Sequence, residues 1–439
     1  MKNKIQLLIS VLVVISTIML SAGCTAAPKT QPIKLTVWIN GRDSFIGPSE
    51  QTLPQDQWYI SQAIKRFEAA NPGVSVELVV QSDALLAHQT FRTAGLAGNA
   101  PDIANLWAGQ FIFALRDVTQ DISKYIPADD LKNITGWDTV MLDFKAGNPI
   151  IGYPSPDNQM CFFLYNKQII KKAGLDWDTN PPRTIDVFMA DMEKIKNAGY
   201  VPMAADEGAG YVYYFFYIAG YWWVQQNGLE SILAEDTGKG NFADDQALLS
   251  TLKLYNEIWS KGYMNQDAAT SGDSYNKFLQ GQVAMFPSVS TFIKDAQDAL
   301  GVDNVGAILP PDISANSKIK NSLIGGPGQS LVVSKNSKNP EMAVKFLSFL
   351  NSKAEVLLLN KVQVKVPIRT DVTAADLGYQ SGSIGSKLIG WSSNYIFWID
   401  NSLSPTVVDD FNKLLPLVLT SKMTPEDFAA QLDKDKVVK

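Results

Sequence analysis

Chemistry-bearing side chains are few in this 439-residue chain, which holds one histidine, His88, and two cysteines, Cys24 and Cys161. No complete GxGxxG, GxSxG or HExxH pattern occurs, nor a GxxxxGK followed by Ser or Thr. Phosphate-cradling loops and the common nucleophile and zinc-protease motifs are therefore missing. One histidine and one internal cysteine do not make the usual zinc or iron site, so neither a metal nor a cofactor is expected. Asp176-x-Asp178-x-Asn180 starts like a calcium loop. Pro181 then stands where the glycine region belongs and no Glu follows at the twelfth position, which leaves a turn. His88 falls inside a predicted helix and reads as structural or surface. Cys161, among apolar neighbours, reads as a small buried hydrophobe and not a nucleophile. A secreted glycoside hydrolase would need only two carboxylates about 5–10 Å apart. The 44 Asp and Glu could supply them, but nothing selects a pair. What remains is aromatic: ten Trp and fifteen Tyr, whose faces suit apolar or sugar-like ligands.

Composition narrows the classes further. At 46% hydrophobic and 19% charged residues the chain is globular, and its length is too great for one core, so two domains are expected. Lys2, Lys4, the apolar run Ile5 to Leu20 and the small residues before Cys24 read as a secretory signal over 1–23. The run is too short for a membrane-spanning helix. Without those residues, 36 basic stand against 44 acidic side chains, a net charge of −8. No basic patch points to nucleic acid or to polybasic membrane docking. Cys161 then has no partner for an internal disulfide.

The stretch from Ile150 to Phe188 is where two lobes are expected to meet. Ile150 to Tyr153 is apolar and stops at Pro154, which lacks a ladder donor. Met160 to Tyr165 reads as one strand buried on both faces. Ile169, Ile170 and Ala173 give a helical turn ended by Gly174. Thr184 is read as the cap of a helix with Val187, Phe188, Met192 and Ile195 along one face. Upstream, Lys34 to Asn40 is a strand, Ile60 to Phe67 a helix stopped by Asn71-Pro72-Gly73, and Val74 to Val80 a second strand. Ile103 to Trp107 is a third. Tyr211 opens a helix apolar on all sides, and Pro340 another with Ala343, Val344, Phe346 and Leu347 inward. Val366-Pro367-Ile368 is read as a last crossing strand and the tail from Asn394 as helical, with Thr424-Pro425-Glu426-Asp427 a capping pattern. No internal repeat is found.

Leu164-Tyr165-Asn166-Lys167, then Ala173-Gly174-Leu175 and Pro181-Pro182-Arg183-Thr184, resembles the extracellular solute-binding proteins of sugar-importing ABC transporters, in the maltose-binding-like branch. The phrase FEAANPGVSV at 67–76, Pro101-Asp102 before an apolar strand, Leu115-Arg116-Asp117-Val118 and Gly281-Gln282-Val283-Ala284-Met285 extend the likeness over nearly the whole mature chain. Ile185 stands where the family usually shows Trp. Phe286-Pro287 replaces its Gly and Trp, which removes the usual stacking residue from that loop.

The resemblance implies an α/β, two-lobe periplasmic-binding-protein-like fold of type II, the lobes joined by crossing hinge strands. The first lobe would take 33–156 and 331–362, the second 159–324 and 366–439. It further implies a lipoprotein: Cys24 lipidated after cleavage, residues 24–32 a tether, and the protein anchored outside the cytoplasm on the bacterial cell membrane. The alternative is an ordinary cleaved signal with an incidental cysteine. The implied function is capture of a carbohydrate, expected to be an oligosaccharide, for ABC permease subunits, by a monomer that performs no covalent chemistry. Trp107, Trp398 and Tyr211 stand where the family places stacking aromatics; for each the alternative is a core position. Asn40, Arg42 and Asp43 of the first loop, Gln110 and Gln159 are the expected hydrogen-bonding partners, with Ser288 and Gly326 lining the cleft. A glycoside hydrolase, a binder of a peptide or polyol, and a structural surface lipoprotein are the competing readings.

Overall fold

The computed structural model describes residues 32–40, 45–81, 86–208 and 210–436. Cys24, Arg42 and Asp43, and with them the signal and lipidation readings, lie outside the described residues.

Twelve strands among the described residues form three sheets: β1 (Ile33–Asn40), β2 (Val74–Gln81), β3 (Ile103–Trp107), β4 (Tyr153–Pro154), β5 (Gln159–Met160), β6 (Phe162–Asn166), β7 (Val201–Met203), β8 (Val283–Ser288), β9 (Val305–Ile308), β10 (Leu323–Gly326), β11 (Gln329–Val333) and β12 (Tyr395–Phe397). The first sheet runs β2-β1-β3-β11-β4, the second β7-β8-β6-β9, and a small third sheet β12-β10-β5. In the first, β1 lies parallel to β2 and β3, while β11 runs antiparallel to β3 and β4. Leu35, Val37 and Ile39 alternate inward along β1, the period of a strand, and meet Phe67 and Phe346 from covering helices. The second sheet backs onto Phe163, Phe188, Trp222, Trp223 and Phe411, a separate core. The first and second sheets thus have separate hydrophobic cores, the condition for two lobes.

Chain passes between them three times. Pro154, at the edge of the first sheet opposite Ser330, leads to β5 of the third. β10 of the third sheet returns through Gly328 to β11 of the first. The segment after the helix Lys353–Val362 goes back alongside: Asn158 N–H donates to Val366 C=O at 2.6 Å, and Asp157 pairs with Pro367. Lys365 Nζ meets Asp157 Oδ2 at 3.0 Å with side chains 1% and 0% exposed, tying the first crossing to the third.

Several local expectations need correction. The run Met160 to Tyr165 is two strands in different sheets; the break is at Cys161, whose N–H donates to Ile324 C=O at 2.8 Å as the chain changes sheet. Val187 is 49% exposed, because the buried stripe of its helix runs through Ile185, Phe188, Asp191, Met192 and Ile195. Thr184 stands at that helix's N-cap without a side-chain capping bond, held instead in a bridge with Asp312. Around Pro367 isolated bridges replace the crossing strand, since Pro367 has no N–H to extend a ladder. The tail does not start as helix: Tyr395–Phe397 joins β10 in parallel before the helices begin. Thr424 Oγ1 does accept the Asp427 N–H, at 3.0 Å.

Candidate functional site

Sheet ends and crossings converge on a cleft of about 400 Å³ between the lobes. The first lobe supplies Trp107, last residue of β3. His88 packs its ring 5.2 Å from the indole, and its Nε2 accepts the Trp107 backbone N–H at 2.9 Å. Burial pushes the His88 pKa down to about 4, so the imidazole is neutral and keeps a nitrogen lone pair for this bond. Phe111 lies edge-on to Trp107 at 4.9 Å.

Across the cleft, Tyr211 comes within 5.8 Å of Trp107, ring centre to ring centre, and Tyr213 lies 4.8 Å from Tyr211. Tyr211 precedes a helix that widens into a π-turn over Phe215–Ala219, which adds Tyr217 to the wall. Trp398 closes this side, 5.7 Å from Tyr217 and 4% exposed. Its indole Nε1–H donates to Gly326 C=O at 3.2 Å. Gly328 allows that approach, because a β-carbon there would lie 2.8 Å from the same nitrogen. Gln159 and Gln329 enter from the crossings.

Two carboxylates stand in the walls, Asp206 and Asp400. Burial raises the Asp206 carboxyl, against the pull of the Ser274 N–H it accepts at 3.1 Å. Asp400, 3% exposed in the short helix Ile399–Ser402, accepts the Tyr211 hydroxyl. Burial raises its pKa to about 6, with the Tyr211 bond and nearby backbone N–H groups pulling down. Asn401 next to it reaches the first lobe: its Nδ2–H donates to Ala108 C=O at 3.1 Å and to Gly328 C=O at 2.8 Å. No group of His, Cys, Asp and Glu able to hold a metal occurs among the described residues.

The structure therefore brings Trp107, Tyr211, Gln159 and Trp398 to one cavity. It does not bring Asn40, Gln110, Ser288 or Gly326 to that lining. Asn40 is 2% exposed and its Nδ2–H donates within the first lobe to Asn105 C=O at 3.3 Å. Ser288 is fully buried in β8, its hydroxyl on Val289 C=O. Gly326 sits in the small sheet opposite Gln159, its carbonyl taken by Trp398. Gln110 starts the helix Gln110–Phe113 behind Trp107. Sequence reasoning missed Asp206, Tyr213, Tyr217, Asp400 and Asn401. Two signals were available: Asp206 ends a strand–loop just before Tyr211, and Asp400-Asn401 directly follows Trp398.

Comparison with known proteins places this geometry. Residues 52–356 match the model of the bacterial extracellular solute-binding protein family. A binding protein of Brucella abortus (strain 2308) is 30% identical over 311 residues, 67% of this chain and 69% of the relative. The maltodextrin-binding protein MdxE of Bacillus subtilis (strain 168) is 26% identical over 328 residues, 71% of this chain and 70% of that one. Among solved structures, a chitin oligosaccharide binding protein superposes with a TM-score of 0.75 at 22% identity, over 92% of this chain and 97% of that one. The GacH receptor of Streptomyces glaucescens does so at 0.73 and 17%, over 93% and 100%. The α/β architecture is thus the two-lobe one of these sugar-binding proteins. The chain belongs to the bacterial extracellular solute-binding protein family.

Proposed function

We propose that this protein is the substrate-binding component of an ABC importer, capturing a carbohydrate, and by preference an oligosaccharide, between its lobes for delivery to permease subunits. The observation that carries this reading is the interlobe cleft of about 400 Å³ with Trp107, Tyr211, Tyr217 and Trp398 in its walls beside Gln159, Gln329 and Asp400. Sugar rings present C–H faces to aromatics and hydroxyls to planar polar groups, and both kinds of partner are supplied here. The volume falls in the range of about 300–1,000 Å³ typical of small-molecule sites. Relatives named for maltodextrin and chitin oligosaccharides support the ligand class. The lobes are 33–156 with 331–362 and 159–324 with 366–439, and closure about the crossings buries both sides of the ligand. The protein acts as a monomer, without catalysis, held outside the cytoplasm by a lipid on Cys24. No helix among the described residues is long and apolar enough to cross a membrane.

The test is titration of the protein from residue 25 onward with mono- and oligosaccharides, followed by Trp fluorescence and melting temperature. A saturable shift with a sugar recovered intact is expected, and Trp107→Ala should weaken it by about ten-fold or more, the worth of one stacked ring. No shift with any sugar overturns the carbohydrate reading. A sugar returned cleaved would move the protein to the glycoside hydrolases.

A further inference from the structure

Asp400 is an incompletely satisfied carboxylate in the cleft wall. Its Oδ2 accepts the Tyr211 hydroxyl and the backbone N–H groups of Asp400 and Asn401 lie near the carboxylate, but no hydrogen bond of normal geometry reaches its buried Oδ1. The residue lines the cleft and is 3% exposed, and an unfilled acceptor on a carboxylate is costly. The carboxylate is also held in place. The next residue, Asn401, ties the short helix to Ala108 C=O of the first lobe and Gly328 C=O of the crossing. No basic side chain lines the cavity among the described residues. Among the described residues, the titratable groups in electrostatic contact with Asp400 are Tyr211, just before the helix, Tyr217 within it, and Cys161 from the crossing. Burial raises all three well above their ordinary values, so they stay neutral near pH 7.

We infer that Asp400 is a specificity-determining residue: its free oxygen receives a hydroxyl of the bound sugar, and the same carboxylate turns away sugars carrying a carboxylate there. The inference rests on the carbohydrate reading and narrows it to neutral sugars over uronates. A ligand hydroxyl fills the vacant acceptor, whereas an anion meets a fixed like charge with no counter-ion beside it.

Asp400→Asn inverts this preference by geometry. The Tyr211 hydroxyl still needs an acceptor and holds the amide oxygen, which turns the amide N–H₂ to the vacant position. Acceptor becomes donor. Wild type and Asp400→Asn are titrated by calorimetry at pH 7.5 with maltotriose, chitotriose and stachyose, and with each sugar oxidised at its primary hydroxyls to the uronate. The neutral sugar that binds wild type should bind the variant about ten- to hundred-fold more weakly, the scale of a lost charge-assisted bond. The neutral-to-uronate ratio should fall by about ten-fold or more.

A second measurement stands even if that variant fails to fold. Burial raises the Asp400 pKa to about 6, so neutral-sugar affinity in wild type should drop between pH 7.5 and pH 5 as the acceptor is protonated. Tyr211→Phe removes a bond that lowers this pKa and should move the midpoint of the drop upward. A variant that binds the neutral sugar as wild type does, a uronate bound as well as its neutral parent, or a flat pH profile overturns the inference while leaving the carbohydrate reading in place. If no sugar binds wild type, both fall together.

Discussion

Replacing Lys365 by Met isolates the energetics of the hinge. Lys365 is 1% exposed and, among the described residues, its charged partner is Asp157, 0% exposed and 3.0 Å away, where the first and third crossings run side by side. Asp157 Oδ1 already lacks a partner, so its carboxylate depends on the ammonium. Removing one member of such a pair leaves a bare buried charge, which costs about 3–5 kcal/mol. Replacing both, as Lys365→Met with Asp157→Leu, removes the desolvation penalty together with the attraction and should cost less than about 1 kcal/mol, or stabilise. The cycle therefore predicts strong non-additivity, with a coupling of at least about 2 kcal/mol. Urea unfolding followed by Trp fluorescence gives all four free energies. A Lys365→Met variant within about 1 kcal/mol of wild type, or a double variant equal to the sum of the singles, would refute the claim that the pair depends on mutual neutralisation. The assay also reads function: both segments belong to crossings, so the double variant should keep its fold yet change the ease with which the lobes close.

Two further perturbations probe other parts of the molecule. Gly109 has φ +67°, and a β-carbon there would lie 2.2 Å from the Asn401 carbonyl oxygen; Gly109→Ala should therefore push the Trp107 loop off the short helix Ile399–Ser402. Backbone strain and overpacking together should cost about 2 kcal/mol or more, read as a lower urea midpoint with weaker ligand capture, and an unchanged midpoint contradicts the contact. Glu207 is fully buried, accepting the Tyr214 N–H at 2.6 Å and the Tyr255 hydroxyl at 2.5 Å. Burial raises its pKa to about 8. Its folded pKa exceeds the unfolded one, so the stability it contributes is complete below about pH 4.5 and is lost as pH rises through 8, by up to about 1.4 kcal/mol per unit. Glu207→Gln should flatten stability between pH 5 and 8, and an equally steep variant excludes Glu207 as the source.

Local pattern carried much of this protein. The period-2 alternation of β1, the helical spacing ended by Asn71-Pro72-Gly73, the apolar helix after Tyr211 and the order of loose motifs set the α/β class, because each follows from neighbours within a few residues. Position at a strand end together with the family resemblance singled out Trp107, and the resemblance alone its neighbour in the cleft, Tyr211. Tertiary structure decided what depends on distant partners. The split at Cys161 exists because β10, some 160 positions later, offers a different sheet. Asn40 looked like a ligand partner at a strand's end, but folding gives its amide a carbonyl on β3. Asp400 was not singled out in the sequence at all; folding buries it against Tyr211, 189 positions away. Spacing along a chain encodes which face a residue takes. The dielectric around it and the partner it lacks arise only when remote segments close over it.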